Sequence, residues 1–256
     1  MKNDTTTMIL LNFTIMAIFT LIEVIKPARK IRYRDVFWAD FSSTLVVIGM
    51  AVFLSILFQK GRIWFHDSIV AGFNQLYYSA FFNWFHQTSF IYQLIIYLIA
   101  ADFGIYWAHR FMHSRHLWRF HRWHHSPTYM YWGAGLRSSL MHQFLFLSVG
   151  VMATLFLPEV RPGMYFLFGS THFIISNNFM HMNTSWESDK LEWIFVTPRY
   201  HRVHHCTDIS VHNANYGAIF SFWDRLFKSH INPAKIKHFE FGTGEKKKHP
   251  LMFLGF

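Results

Sequence analysis

Between Asp102 and His125 the chain reads DFGIYWAHRFMHSRHLWRFHRWHH, with six histidines in its last seventeen positions. Five of them are spaced for chemistry. His109 and His113 form H-x-x-x-H, and His121, His124 and His125 form H-x-x-H-H. A second H-x-x-H-H follows at His201, His204 and His205. Residues three and four apart share one face of a helix, so each group is expected to aim its imidazoles at a common spot. Neutral imidazole is a good ligand for zinc, copper, iron or nickel. Histidine makes up 18 of 256 residues, which would produce an H-x-x-H-H roughly 0.09 times by chance. Two copies beside an H-x-x-x-H pair therefore point to a metal site rather than to solvated surface histidines.

His181 adds a further candidate ligand, with Asn177 one helical turn before it. His109, His113, His121, His124, His125, His181, His201, His204 and His205 together exceed what one ion can use and suit two ions with about four ligands each. The acids near them are Asp102, Glu187, Asp189, Glu192 and Asp208, with no H-E-x-x-H to supply the general base of a zinc hydrolase. An all-nitrogen pair suits redox iron, whose chemistry here is O₂ activation and attack on an unactivated C–H bond. Two iron ions are the expected cofactors, and zinc can occupy the site in purified or crystallised protein. The alternatives are a zinc-dependent membrane hydrolase and a non-enzymatic, histidine-rich metal-binding membrane protein. Asp102, Tyr106, His109 and His113 form one stripe along a helix. Asp102, Tyr106 and Asn177 are the non-histidine candidates for the catalytic site. An acid at membrane depth is costly unless paired, so Asp102 reads equally as a functional group or as a hydrogen bond to a neighbouring span. His142, His172 and His212 read as outer or packing groups, and His66 and His86 as structural. The single cysteine, Cys206, excludes an intrachain disulfide and reads as a buried bystander.

The elements that must position these residues are apolar. Hydrophobic residues are 52% of the chain and aromatics 20%, against 15% charged, which fits a membrane protein with interfacial parts. Five segments approach the length needed to cross a bilayer: 8–25, 41–58, 89–108, 140–157 and 164–180. The first reads as a retained span and not a signal peptide, since no small-residue cleavage site follows it. Only 158–163 separates the last two, which predicts a tight helical hairpin. The basic run KPARKIRYRD after the first span places that loop in the cytoplasm. Counting crossings from there puts every clustered histidine on the cytoplasmic side. The aromatic stretch 61–86 reads as an interfacial or re-entrant piece.

The fold expected is an all-α, multi-pass integral membrane protein: four to five membrane helices under a cytosolic helical cap that carries a histidine-rich dimetal site. The chain divides into N-terminal spans and an interfacial segment (1–101), a catalytic region (102–230) and a basic, aromatic tail (231–256), all within one membrane domain. A formal charge of +10 favours an anionic membrane surface or an acidic redox partner over nucleic acid, because the basic residues flank apolar spans.

The motifs D-x-x-x-Y-x-x-H-x-x-x-H at 102–113, WRFHRWHHS at 118–126, His181, TPRYHRVHHC at 197–206, then NYG and FSFWDRLF at 215–227, resemble the fatty acid hydroxylase/sterol desaturase superfamily of membrane di-iron oxygenases. GLRSSLMHQ at 135–143 and LEW at 191–193 look like its alkylglycerol monooxygenase-like branch. The resemblance implies that the nine histidines bind two irons in a cytosolic cap over a four-helix bundle, with a lipid chain reaching the site from the bilayer. It implies hydroxylation, or alternatively desaturation, of that lipid with O₂ and electrons from an external donor of ferredoxin, cytochrome or pterin type. The chain departs from the family pattern at Asn177, where other branches carry a histidine, and at Asn213, where an acid is frequent.

Overall fold

In the computed structural model, described for residues 2–34, 75–155, 157–158 and 162–244 with scattered positions from 40 to 68, the chain is helical and forms no strand among those residues. The expected span 41–58 lies largely outside the described residues, as do His66 and the end of the tail from 245. The elements that matter to the site are α1 (Lys2–Ile25), α2 (Gln75–Gln87), α3 (Phe90–Met112), α4 (Trp118–His121), α5 (Leu140–Ala153), α6 (Pro162–Phe173), α7 (Pro198–His204) and α8 (Phe222–Leu226). Helix α6 continues as a π turn, Ile174–Asn178, and then a 3₁₀ turn, Phe179–His181.

Helix α3 is the organising element. It is uncharged from Phe90 to Ala101, and among the described residues it is the one helix long and apolar enough to cross a membrane. Leu10–Ile25 and Leu140–Ala153 are shorter apolar helices. One face of α3 is exposed at Tyr92, Ile95, Ile99 and Phe103, while Asp102, Tyr106 and His109 are buried on another. The close approach of α5 requires Gly104: a β-carbon there would lie 2.7 Å from the Val149 carbonyl oxygen and 2.8 Å from Ala153 Cβ.

The expected hairpin of 140–157 and 164–180 is modified. Helix α5 stops at Ala153, and α6 yields to π winding at Ile174, so both α-helical pieces end short of the apolar runs 140–157 and 164–180. Apolar length in the sequence marked where lipid-compatible residues run, not where α winding ends.

Two buried acids tie the ends of these helices together. Glu23, at the end of α1, accepts the backbone N–H groups of Trp132 (2.7 Å) and Asn183 (2.8 Å). Asp40 binds Arg137 at 2.5 Å and accepts the Tyr131 hydroxyl at 2.7 Å. These bonds fix the loop 131–137 against the rest of the fold, and that loop carries a carbonyl the site needs.

Candidate dimetal centre

The histidines of all three motifs converge with His181 into two buried groups. One contains His109, His113, His121, His125 and His204, and the other His124, His181, His201 and His205. In each group one ring nitrogen per residue lies within 4.8 Å of all the others. All nine candidate ligands are therefore brought together.

Each H-x-x-H-H was expected to serve one spot, and the structure corrects that. The pairs four apart (109/113, 121/125 and 201/205) stay within one group, whereas His124 and His204 cross to the opposite one. The reason is helical phase. At 100° per residue, positions i and i+4 differ by about 40°, while i+3 and i+4 are separated by about 100°. Adjacent histidines must then face different ways, and each motif straddles both groups.

The outer ring nitrogens decide what the inner ones can be. His109 Nδ1 lies 2.8 Å from the Tyr216 carbonyl, His204 Nδ1 2.9 Å from that of Ala214, His124 Nδ1 3.0 Å from that of Arg137, and His181 Nδ1 2.7 Å from that of Asn177. A carbonyl only accepts, so each Nδ1 carries the proton and each neutral ring keeps a bare lone pair on Nε2. His124 Nε2 and His181 Nε2 nevertheless face each other at 3.2 Å. No proton is available to bridge them, and two opposed lone pairs need a cation between. Nitrogens bound to one ion at about 2.0–2.1 Å stand roughly 2.9–3.4 Å apart, for right-angled to tetrahedral geometry. The other close Nε2 pairs, His201–His181 at 3.0 Å, His204–His125 at 3.1 Å and His109–His121 at 3.2 Å, fall in the same range. Buried Nε2 atoms of His113 and His205 have no hydrogen-bond partner. The donor set fits two metal ions.

Burial keeps these rings neutral. It lowers the pKa of His113, His121, His125, His201, His204 and His205 well below the ordinary value, with neighbouring imidazoles adding to the effect. Burial takes His124 down to about 4, against a smaller opposing contribution from its bond to the Arg137 carbonyl.

The remaining sequence candidates separate. Asp102 and Tyr106 are fully buried, but their side chains turn toward the segment 216–229 and not toward the ring nitrogens. Asp102 accepts the backbone N–H of Ile219 (2.8 Å) and Phe220 (3.0 Å) and the indole N–H of Trp223 (3.1 Å). These hydrogen-bond partners belong to the segment 219–223 and not to a neighbouring span, and two of the three are backbone amides. The Tyr106 hydroxyl meets Ser229 Oγ at 2.8 Å. Asn177 lines a cavity of about 30 Å³ with His109, His121, His124, His142, Phe146, Ser176, Met180 and Ala218, and its carbonyl orients His181. Gly135 makes that arrangement possible, since a β-carbon there would sit 1.7 Å from the Asn177 carbonyl oxygen. His142 is an outer partner: its Nδ1 lies 3.1 Å from His121 Nδ1, where four other ligands use a carbonyl. His172 pairs with Ser176 and approaches Asp102. His212 is exposed, and Cys206 is buried outside both groups.

Sequence reasoning missed the carbonyls of Ala214 and Tyr216. They sit in HNANYG, where Asn213 and Asn215 adopt left-handed backbone with φ near 58° and 57°. Asparagine tolerates that region, and the two Asn residues bracketing Ala214 were the available signal.

Residues 94–229, which include every one of these histidines, match the fatty acid hydroxylase family. The chain belongs to that family. An ornithine lipid hydroxylase, OlsE, from Rhizobium tropici is 32% identical over 174 residues, 67% of this chain and 51% of its own length. An alkylglycerol monooxygenase from Danio rerio is 33% identical over 130 residues, covering 50% of this chain and 28% of its own. A methylsterol monooxygenase (1-3) from Arabidopsis thaliana is 27% identical over 142 residues, 53% and 46% of the two chains. This fatty acid hydroxylase family chain thus spans about half or less of the curated relatives it matches. No solved structure gives a significant match.

Proposed function

We propose that the protein is a membrane-bound lipid hydroxylase whose nine histidines hold two iron ions. The observation that carries this reading is the facing, proton-free Nε2 pair of His124 and His181 within a set of nine converging imidazoles. When bound, the iron pair supplies O₂ activation and oxidation of a C–H bond, fed by electrons from an external donor. The chain's own residues do the rest. Ala214, Tyr216, Arg137 and Asn177 hold four ligand rings in one tautomer and one orientation through their carbonyls. Phe146, Met180 and Ala218 give the adjoining cavity an apolar wall, suited to an alkyl carbon and hostile to bulk water. Besides the histidines, Asn177 and Ser176 are the polar residues lining it.

No described carboxylate belongs to either histidine group, so the donor set is all nitrogen, as suits redox iron. The relatives' names favour a polar or sterol lipid as substrate and hydroxylation as outcome; desaturation uses the same site. The basic loop after α1 supports a multi-pass topology with the histidines on the cytoplasmic side, where an acidic donor protein can dock by charge. The test is lipid mass spectrometry of cells with and without the gene, beside elemental analysis of purified protein. A lipid heavier by one oxygen atom, together with two irons per chain, is the expected result. An unchanged lipid profile, or a chain that binds no metal, overturns the reading.

A further inference from the structure

Asp102 is a carboxylate fixed on the apolar helix α3, and its partners lie 117 to 121 residues away in a segment too short to span anything. Phe103, the next residue, faces outward at 39% exposure at the end of the row Tyr92, Ile95, Ile99. It stands thirteen residues beyond Phe90, which is about 20 Å of helix rise, inside a hydrocarbon layer of roughly 30 Å. Against it pack Trp223, at 5.1 Å between ring centroids, and Phe227, at 6.3 Å. Phe227 also contacts Trp107, at 4.8 Å. The non-spanning segment 219–227 is therefore held level with the interior portion of α3.

Backbone at that depth survives only if its polar groups are satisfied without water. Here they are. Asp102 takes the N–H groups of Ile219 and Phe220, Asp224 takes those of Tyr216 and Gly217, and the Ile194 carbonyl takes that of Ser221. Val196 N–H in turn bonds the Ile219 carbonyl, so 194–196 and 219–221 lie side by side. The outer surface of this pair is apolar: Trp193 is 66% exposed, Ile194 51%, Phe195 43% and Leu226 63%. Arg225 lies over the Trp193 ring, 4.6 Å from its centroid, the arrangement of a long cation reaching from an apolar bed toward head groups.

We infer that residues 193–195 and 219–227 form an apron inserted into the lipid leaflet on the histidine side, with Asp102 supplying the hydrogen bonds that let this backbone enter hydrocarbon. The occupant of the exposed face is lipid, because the face is continuous with the outward row of α3. The inference rests on α3 crossing the bilayer, which the following experiment tests separately.

Spin labels are placed in the full-length protein by Leu226→Cys, Ile99→Cys and Ile209→Cys, in nanodiscs of phosphatidylcholine and phosphatidylglycerol. Cys206 is buried, and labelling of the parent protein provides the blank. Ile209, 86% exposed in the loop after α7, is the aqueous reference. The labels at 99 and 226 are expected to be several-fold more accessible to oxygen, relative to a water-soluble nickel chelate, than the label at 209. A label at 226 that behaves like the one at 209, while 99 stays lipidic, overturns the apron alone. A label at 226 shielded from both reagents means a protein partner and also overturns it. An aqueous label at 99 overturns the membrane-crossing reading and the apron with it. Adding Asp102→Ala is expected to move the 226 label toward the chelate without moving the 99 label; an unchanged 226 label overturns the pinning role of Asp102.

Discussion

The two histidine groups draw on the same pair of H-x-x-H-H motifs yet rest on different foundations. The five-histidine group takes His109 and His113 from the end of α3, a helix clamped to α5 through Gly104, and its outer partners include the side chain of His142. The four-histidine group has no ligand on α3. It depends on His181, which follows a π and a 3₁₀ turn, and on two carbonyls from Arg137 and Asn177. The first group is anchored on a long helix; the second combines His201 from α7 and His205 at its end with His124 and His181 from turns beside segments that Glu23 and Asp40 hold in place. The lesson is that the pair is asymmetric in support as well as in ligand number, and that His124 and His204, which cross between the groups, bind the two halves into one unit.

That contrast can be broken most directly at the crossing residues. His124→Ala or His204→Ala is expected to reduce product below about 1% while the protein remains in the membrane, measured by lipid mass spectrometry and by membrane fractionation. Near-normal turnover in either variant would remove that residue from the ligand set. Next comes selectivity between the groups. His113→Ala deletes an unpartnered nitrogen from the five-histidine group alone, so bound metal should fall from two ions toward one by elemental analysis. Retention of both ions would place His113 outside the shell.

A third expectation concerns pH and the metal-free protein. Unfolded, His124 titrates near 6.5; folded, burial holds it neutral down to about 4. As pH falls through 6.5 the unfolded chain gains a proton that the folded chain refuses. Stability from this residue is therefore complete above pH 6.5 and declines by about 3 kcal/mol on reaching pH 4. Denaturant unfolding in detergent across that window reads the loss, and a flat profile would contradict the neutral buried ring. The smallest effect expected is at His142. His142→Phe should weaken retention of the ion held by His121 about 10–100-fold in chelator competition, with His142→Asn restoring it. Equal retention in the Phe variant would reduce His142 to packing.

Much of the centre was legible because ligand identity and helical phase are both local properties. The nine histidines and the placement of Asp102, Tyr106 and His109 on one helix follow from residue type and spacing. What was not legible depends on backbone. Every residue has a carbonyl, so nothing in the letters distinguishes Tyr216 or Arg137 as the partner of a ring nitrogen. Asp102 was ambiguous for the same reason, since most of its partners are amide groups more than a hundred residues away. The division of each H-x-x-H-H between two groups is readable in principle from the 100° step between adjacent residues, which sets His124 apart from His125 and His204 apart from His205.

The π turn at Ile174–Asn178 has a consequence of its own. Such a turn holds one residue more than ordinary winding would over the same arc, and that surplus sets the azimuth at which His181 leaves the segment. Forcing ordinary α winding on the same number of residues would instead swing His181 by about 100°, away from His124. The winding of this stretch is thereby tied to a contact made beyond its end, that of His181 with His124.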